Sequence, residues 1–198
     1  MGKKTSFFMM DESNSDNKES IIDYMLSWTL RMSCEPDDGY KNIIRDYCKK
    51  ILSKIVFDDI NKIDENYKSI QSVSTWKQWK RIDLLAEIVF IDKENMESKH
   101  ALLIENKAYS SIRHDQLNRY KKIFEEEYKG TAFENNLHYV YFTIKERHQI
   151  VEDAILCEVS KFQHHTMDEI MDCVWPLPED LKPTGNEIFD EFWIKNWG

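Results

Sequence analysis

Proline and glycine are scarce: the 198 residues hold four Pro and five Gly. With 41% apolar and 13% aromatic residues, the composition is that of a globular chain rather than a disordered one. Long hydrophobic runs are missing too. No window approaches the ~18 consecutive apolar residues that a membrane span needs, so no membrane is expected among the partners. The first apolar run stops at Met10, short of a signal-peptide core, and acid follows it. Cys34, Cys48, Cys157 and Cys173 form no C-x-x-C pair and do not combine with histidine at zinc spacing. They read as free thiols in a reducing, cytoplasmic setting. An excess of positive charge is also absent. The net charge of −9 argues against a non-specific cationic nucleic-acid binder. The basic residues are nevertheless gathered: Tyr67 to Lys122 holds eleven Lys/Arg and seven Asp/Glu, about +4, which leaves about −13 for the rest.

The length suits one domain. Residues 1–17 are polar and acidic and are expected to be disordered, with a single domain over 18–198 that ends in a helical extension from about 160. Ile21, Ile22, Met25, Leu26, Trp28 and Met32 recur at three- and four-residue steps, which predicts a helix from Lys18 or Glu19 to Met32, capped by Ser15 or Asp16. "CEPDDG" breaks the chain. A second amphipathic helix runs from about Asp38 to Ile55 and carries Ile43, Ile44, Tyr47, Cys48, Ile51, Leu52 and Ile55 on one side. The period then changes to that of strands. Ser69–Trp79 and Arg81–Ile91 are two of them, and "HALLIENKA" returns after the polar "DKENMESK" as the hairpin partner of the second. Ser110 or Ser111 is expected to cap a helix bearing Ile112, Gln116, Leu117, Tyr120, Ile123 and Phe124, which fades before Gly130. Leu137–Ile144 is a further buried strand. Gln149–Val159 fits helix or strand. Thr166 with Glu169 has capping-box spacing and opens a short helix to Val174. Thr184 with Glu187 opens a last one bearing Ile188, Phe189, Phe192, Trp193 and Trp197. The order α-α-β-β-β-α-β predicts an α/β fold, a mixed sheet with helices packed on it.

The informative stretch is "ALLIENKA", Ala101–Ala108. Four apolar residues mark a buried strand, and a carboxylate and an ammonium follow two residues apart. Buried without partners, either charge is strongly unfavourable. Side chains at i and i+2 share a face of a strand, so Glu105 and Lys107 point together, while Asn106 points away and offers its carbonyl. The neighbouring strand places one acid inside its apolar run, Asp83 in "RIDLLAEI", 22 residues before Glu105. Two carboxylates and a carbonyl form a hard-oxygen site suited to Mg²⁺ or Mn²⁺. Such an ion would neutralise the acids and remove the objection to burying them. A plainer reading stands beside each residue. Glu105 and Lys107 fit a cross-strand ion pair, and Asp83 fits a pair with Arg81 or Lys107. Gln116 fits a helix surface and Tyr120 fits core. Glu19 fits a helix N-terminus stabilised by the dipole, with Asp23 one turn on as its competitor. His164-His165 has no partners at metal spacing and reads as surface or packing.

Asp83 followed by Glu105-x-Lys107 on a hairpin after an N-terminal helix resembles the PD-(D/E)XK nuclease superfamily. Gln116-x-x-x-Tyr120 in the next helix is similar to the Q-x-x-x-Y motif of its RecB-like and lambda-exonuclease-like branches. "KESIIDYMLSWTL" is similar to the opening helix of a bacterial subgroup, which aligns its leading acid with Glu19. The family's Gly and Pro shortly before the Asp are absent here, where Trp79-Lys80-Arg81-Ile82 stands. The resemblance runs from about Glu19 to Ile144 and implies a restriction-endonuclease-like mixed sheet. Asp83, Glu105, the Asn106 carbonyl and Glu19 would hold the metal, and Lys107, Gln116 and Tyr120 would complete the site. Lys77, Lys80, Arg81 and Arg113 would contact phosphates, with Trp76 or Trp79 stacking on bases. The implied activity is metal-dependent hydrolysis of phosphodiester bonds, of DNA in preference to RNA, in defence or phage-related biology. The rival expectation is an inactive module of the same fold that binds nucleic acid or protein. A protein partner or a second copy of the chain stays open in both.

Overall fold

A computed structural model describes residues 16–34, 42–113 and 115–195. The expectations placed on residues 1–15, on the chain break at 35–39 and on Trp197 lie outside these residues. Three helices lead in: α1 (Asp16–Met32), α2 (Asn42–Phe57) and the short α3 (Lys62–Asn66), which the sequence pattern did not announce. Strands β1 (Tyr67–Trp79), β2 (Ile82–Asp92) and β3 (Glu97–Lys107) follow, then α4 (Gln116–Tyr128) and β4 (Leu137–Thr143). The chain continues through α5 (Val151–Ser160), β5 (Gln163–Thr166), α6 (Met167–Val174) and α7 (Glu187–Phe189), which runs into a π-helical turn, Asp190–Ile194.

The five strands lie in the order β1-β2-β3-β4-β5, antiparallel across the first three and parallel from β3 to β5. The strand period explains how both faces are covered. Leu84, Ala86, Ile88, Leu102, Ile104, Val140 and Phe142 project to the side where α1, α2, α6 and the C-terminal segment pack. Leu85, Ala101, Leu103 and Tyr141 project to the side covered by α4 and Cys157 of α5. The helices answer in their own period: Ile22, Met25, Leu26 and Leu30 of α1 and Ile44, Cys48, Ile51, Leu52 and Ile55 of α2 are buried, whereas Ile43 faces solvent. β3 is central, and every residue from His100 to Lys107 is buried.

Several local readings change. Between β1 and β2 the chain reverses through Lys80-Arg81 alone, both at positive φ (48° and 71°), with Trp79 paired to Ile82. This is the primed geometry that matches strand twist, reached here without Gly or Asn. α4 starts at Gln116, not at Ser110 or Ser111, because Asp115 just before it adopts the left-handed conformation and the Ser110 hydroxyl donates to Glu19 instead. Asp16 is the first residue described in α1 rather than its cap. The segment 149–159, open between helix and strand, is helical from Val151 onward, in α5. The stretch expected to be a helical extension opens with β5, too short and polar (QHHT) to show a strand period. Thr166 Oγ1 caps α6 by accepting from the Glu169 N–H at 3.1 Å, as its spacing predicts. α7 is capped by Asn186, while Thr184 donates to Asp190. Trp193 is fully buried and its indole N–H donates to Thr29 Oγ1 at 2.9 Å, which fastens the C-terminal segment to α1; Ile188 faces solvent.

A histidine pair is buried at the other end of β3. His100 Nδ1 lies 2.9 Å from His138 Nε2, among Phe57, Tyr67 and Phe90, and His100 Nε2 meets Ser98 Oγ at 3.0 Å. Burial, and for His100 the second ring's charge as well, pushes both down to about 4.

Candidate active site

The β2–β3 register, with Leu84 opposite Ile104, brings Asp83 beside Glu105 where β3 ends. Asp83 Oδ2 accepts from the Asn106 N–H at 3.0 Å. Glu105 and Lys107 share the α4 face, as the strand period requires, and both are buried. The Lys107 ammonium donates to Glu105 Oε1, donates to the Asn106 carbonyl at 3.0 Å and lies 3.7 Å from Asp83 Oδ2. One cation thus lies against three of the four groups expected to hold a metal ion, Glu105, the Asn106 carbonyl and Asp83, while the fourth, Glu19, accepts from Ala108 and Ser110. From the start of α4, Gln116 Nε2 donates to Glu105 Oε1 at 2.6 Å and reaches Tyr120 Oη at 3.4 Å, while Gln116 Oε1 accepts from the Arg113 N–H at 3.3 Å. The 116/120 spacing of one helical turn stacks these two polar groups over the carboxylate.

The opposite face is held by α1. The Asn106 side-chain amide donates to Asp23 Oδ1 and, at 3.4 Å, to the Glu19 carbonyl. Gln78 of β1 links the two faces, since its amide donates to Asp83 Oδ1 at 3.2 Å and to Asp23 Oδ2 at 3.4 Å. Glu19 sits slightly apart: its Oε1 accepts from the Ala108 N–H at 3.3 Å and the Ser110 hydroxyl at 2.8 Å, holding the chain as it leaves β3. Asp23, which the sequence offers only as a competitor to Glu19, is therefore also at the site. Gln78 was not anticipated. The signal for Asp23 was its place one turn beyond Glu19; Gln78 had none.

The site is short of positive charge. Burial, followed by the charge of Asp83, pushes the Glu105 carboxyl up to about 8 against the pull of Lys107. Burial and then Asp83 likewise push Asp23 up to about 7. Burial alone would lower Lys107, but Glu105 and Asp83 outweigh it and hold the ammonium above its ordinary value. Lys107 therefore keeps its proton, and Glu105 and Asp23 each hold theirs more tightly than an ordinary carboxyl. Glu105 Oε2 and Asn106 Oδ1 are buried without hydrogen-bond partners. A bare carboxylate oxygen beside a second acid and a carbonyl fits a divalent ion with oxygen preference.

The basic residues are less concentrated than expected. Lys77 lies over the Tyr24 ring, close enough for its charge to act on Asp23. Lys80 is drawn to α4, where its ammonium meets Glu127 at 2.6 Å and covers the Trp79 ring. Arg81 is exposed at the hairpin tip, and Arg113 is exposed just before α4. Trp76 is 43% exposed, and the groove beside it is lined by Glu87 and Glu127, which disfavours a phosphate there. Among the described residues, the group of three His, Cys, Asp or Glu that is spaced for an ion lies elsewhere, at Asp58, His165 and Glu169. The expectation that His165 lacks such partners fails: Glu169 stands four residues on, in the first turn of α6, and Asp58 comes from a distant part of the chain, just after α2.

No curated protein and no solved structure matches the chain. A family model does, that of the PD-(D/E)XK nuclease superfamily, over residues 7–173. The match spans most of the chain and includes β5 and most of α6, beyond the stretch that carried the resemblance. Together with the mixed five-stranded sheet flanked by helices, it establishes that this chain belongs to the PD-(D/E)XK nuclease superfamily.

Proposed function

We propose that the chain is a Mg²⁺- or Mn²⁺-dependent nuclease acting on DNA in preference to RNA, as one domain over 18–198, of the RecB-like branch and within the cytoplasm. The observation that supports it most is the convergence of Asp83, Glu105 and the Asn106 carbonyl on the Lys107 ammonium. Asp83, Glu105 and the Asn106 carbonyl would hold the ion, whose chemistry there is Lewis-acid activation of water and phosphate. Gln116 fixes the Glu105 carboxylate, and Tyr120 backs Gln116. Asp23 and the Glu19 carbonyl hold the Asn106 side chain, which keeps its peptide carbonyl directed at the site. Lys107 is a protonated donor, so its role is to stabilise negative charge building on the phosphate oxygens rather than to abstract a proton. Lys77, Arg81 and Arg113 would meet the strand's phosphates, with Lys80 joining once released from Glu127. Defence against foreign DNA is the biology this chemistry suits.

The test is direct. Plasmid, linear duplex and single strands are incubated with the protein in Mg²⁺, Mn²⁺ or EDTA, beside Asp83→Ala and Lys107→Ala. Cleavage with either metal that both substitutions abolish supports the proposal; absence of cleavage on every substrate, or cleavage by the variants, sinks it. A second reading, an inactive binding module, draws support from the same ammonium, which already satisfies the three oxygens. Calorimetry separates the two: a closed site takes up no Mn²⁺ that Asp83→Ala removes.

A further inference from the structure

Away from the end of β3, the residue that follows α2, the edge strand β5 and the first turn of α6 bring Asp58, His165 and Glu169 together. One ligand-type atom from each lies within 4.8 Å of the others. A shared ion would sit ~2.0–2.2 Å from each such atom, so a small closure suffices. Lys54 bridges the two acids, its ammonium 2.5 Å from Asp58 Oδ1 and 3.3 Å from Glu169 Oε1. That pairing accounts for the carboxylates but not for His165. The imidazole is 1% exposed, and neither ring nitrogen has a hydrogen-bond partner. Imidazole nitrogens always include a donor or a lone pair to be met, and buried polar groups left bare are rare in native proteins. Here one of them lies within 4.8 Å of a carboxylate oxygen of Asp58 and one of Glu169.

We propose that Asp58, His165 and Glu169 form a second cation site, for one first-row divalent ion of the Zn²⁺ class, with Lys54 as the resident counter-cation that withdraws when the ion enters. Imidazole with carboxylates selects such ions over Mg²⁺, which requires oxygen ligands. Charge favours the exchange, since a divalent ion brings two positive charges to the acids where Lys54 brings one. The site joins the end of α2 to β5 and α6. β5 has four residues and lies at the edge of the sheet, so the ion would secure the strand with the fewest ladder contacts. Its role is structural and separate from phosphodiester chemistry.

The test uses the metal-stripped full chain carrying Asp83→Ala, so that the strand-end site takes no part. Zn²⁺ alone is titrated by calorimetry, Co²⁺ is followed by its ligand-field absorption, and thermal melting is recorded with each and with Mg²⁺. The expected result is one Zn²⁺ per chain, a higher melting temperature with Zn²⁺ but not Mg²⁺, and a Co²⁺ spectrum of low coordination number. Asp58→Asn, at an exposed position that does not endanger folding, should weaken Zn²⁺ by ~10-fold or more, and Lys54→Met should strengthen it. No Zn²⁺ uptake, or uptake unchanged in both Asp58→Asn and Glu169→Gln, overturns the site. Uptake unchanged or weakened in Lys54→Met overturns the role given to Lys54.

Discussion

Two buried lysine–carboxylate arrangements stand side by side where the parallel strands β3 and β4 end, and they are built differently. Lys145 pairs with Asp153 at 3.1 Å, and every oxygen of Asp153 is used: Oδ1 accepts from the Ile112 N–H at 3.1 Å, and Oδ2 accepts from the Tyr141 hydroxyl at 2.8 Å. Lys107 instead serves two acids and a carbonyl, and Glu105 Oε2 has no partner. Both lysines are equally buried, so burial does not separate them. What separates them is completeness. A fully partnered charge pair ties α5 to the loop before α4 and is structural. An under-partnered one keeps affinity for a cation, which is why the proposed chemistry is placed there.

The sharpest way to break this contrast is to neutralise one carboxylate in each. Glu105→Gln should reduce metal-dependent cleavage by about 10³-fold or more, with a melting temperature no lower than wild type, because it removes an acid that burial disfavours. Asp153→Ala should do the reverse. It strands Lys145 and should lower unfolding free energy by about 3–5 kcal/mol in urea titration, with cleavage per folded molecule within a few-fold of wild type. If Asp153→Ala kills activity at full stability, the contrast is wrong.

A pH scan of the metal-free protein sharpens the contrast further. Glu105 has its pKa raised in the fold, from 4.5 to about 8, and Asp23 from 3.8 to about 7. A raised carboxyl means the native state binds more protons than the unfolded one. That contribution is complete below the unfolded values and disappears as pH climbs through the folded ones, so stability should fall by on the order of 2 kcal/mol between pH 6.5 and 8. Glu105→Gln should flatten the fall, and Mn²⁺ should reverse it. Between about pH 4.5 and 6.5 the same two carboxyls are opposed by His100, His138 and His165, which are held down to about 4 and stay neutral in the fold. The unfolded state then binds protons at three sites against two in the native state, so stability declines gently as pH drops through this range. Denaturation at each pH reads both limbs, and Asp153→Asn should leave the upper one in place.

Smaller effects grade the supporting shell. Gln116→Ala should reduce cleavage about 10–100-fold and weaken Mn²⁺ in calorimetry, since it frees the Glu105 carboxylate. Tyr120→Phe should cost only about 2-fold in rate, because its hydroxyl meets Gln116 at a long 3.4 Å and its ring stays packed with Leu117 and Phe124. A rate for Tyr120→Phe as low as that for Gln116→Ala would make the hydroxyl a participant.

Much of this was legible in the chain, wherever a local period carried the signal. The three- and four-residue recurrence marked α1 and α2, and the apolar runs marked β2, β3 and β4. What local pattern could not show was anything built by a polar or very short segment. β5 reads QHHT, and its membership of the sheet depends on Thr143 and Thr166 lying side by side. The start of α4 depended on the left-handed turn at Asp115, and Ser110 was diverted by a helix 91 residues earlier in sequence. Asp23 and Gln78 joined the site from opposite elements, and Asp58 reached His165 from the residue after α2.

The amino-acid order alone determined that Glu105 and Lys107 share a face and that an acid within the preceding strand stands ready to join them. The period of two is a property of the extended backbone, independent of its surroundings. Only the tertiary structure decided that Lys107 occupies the point where three oxygens meet, that α1 secures Asn106 from behind, and that His165 has two acids beside it. Those relations are set by strand register and by how helices dock on the sheet. The contacts of Lys107 with Asp83, Asn106 with Asp23 and His165 with Asp58 join residues far apart in sequence, whose relative positions no local repeat encodes.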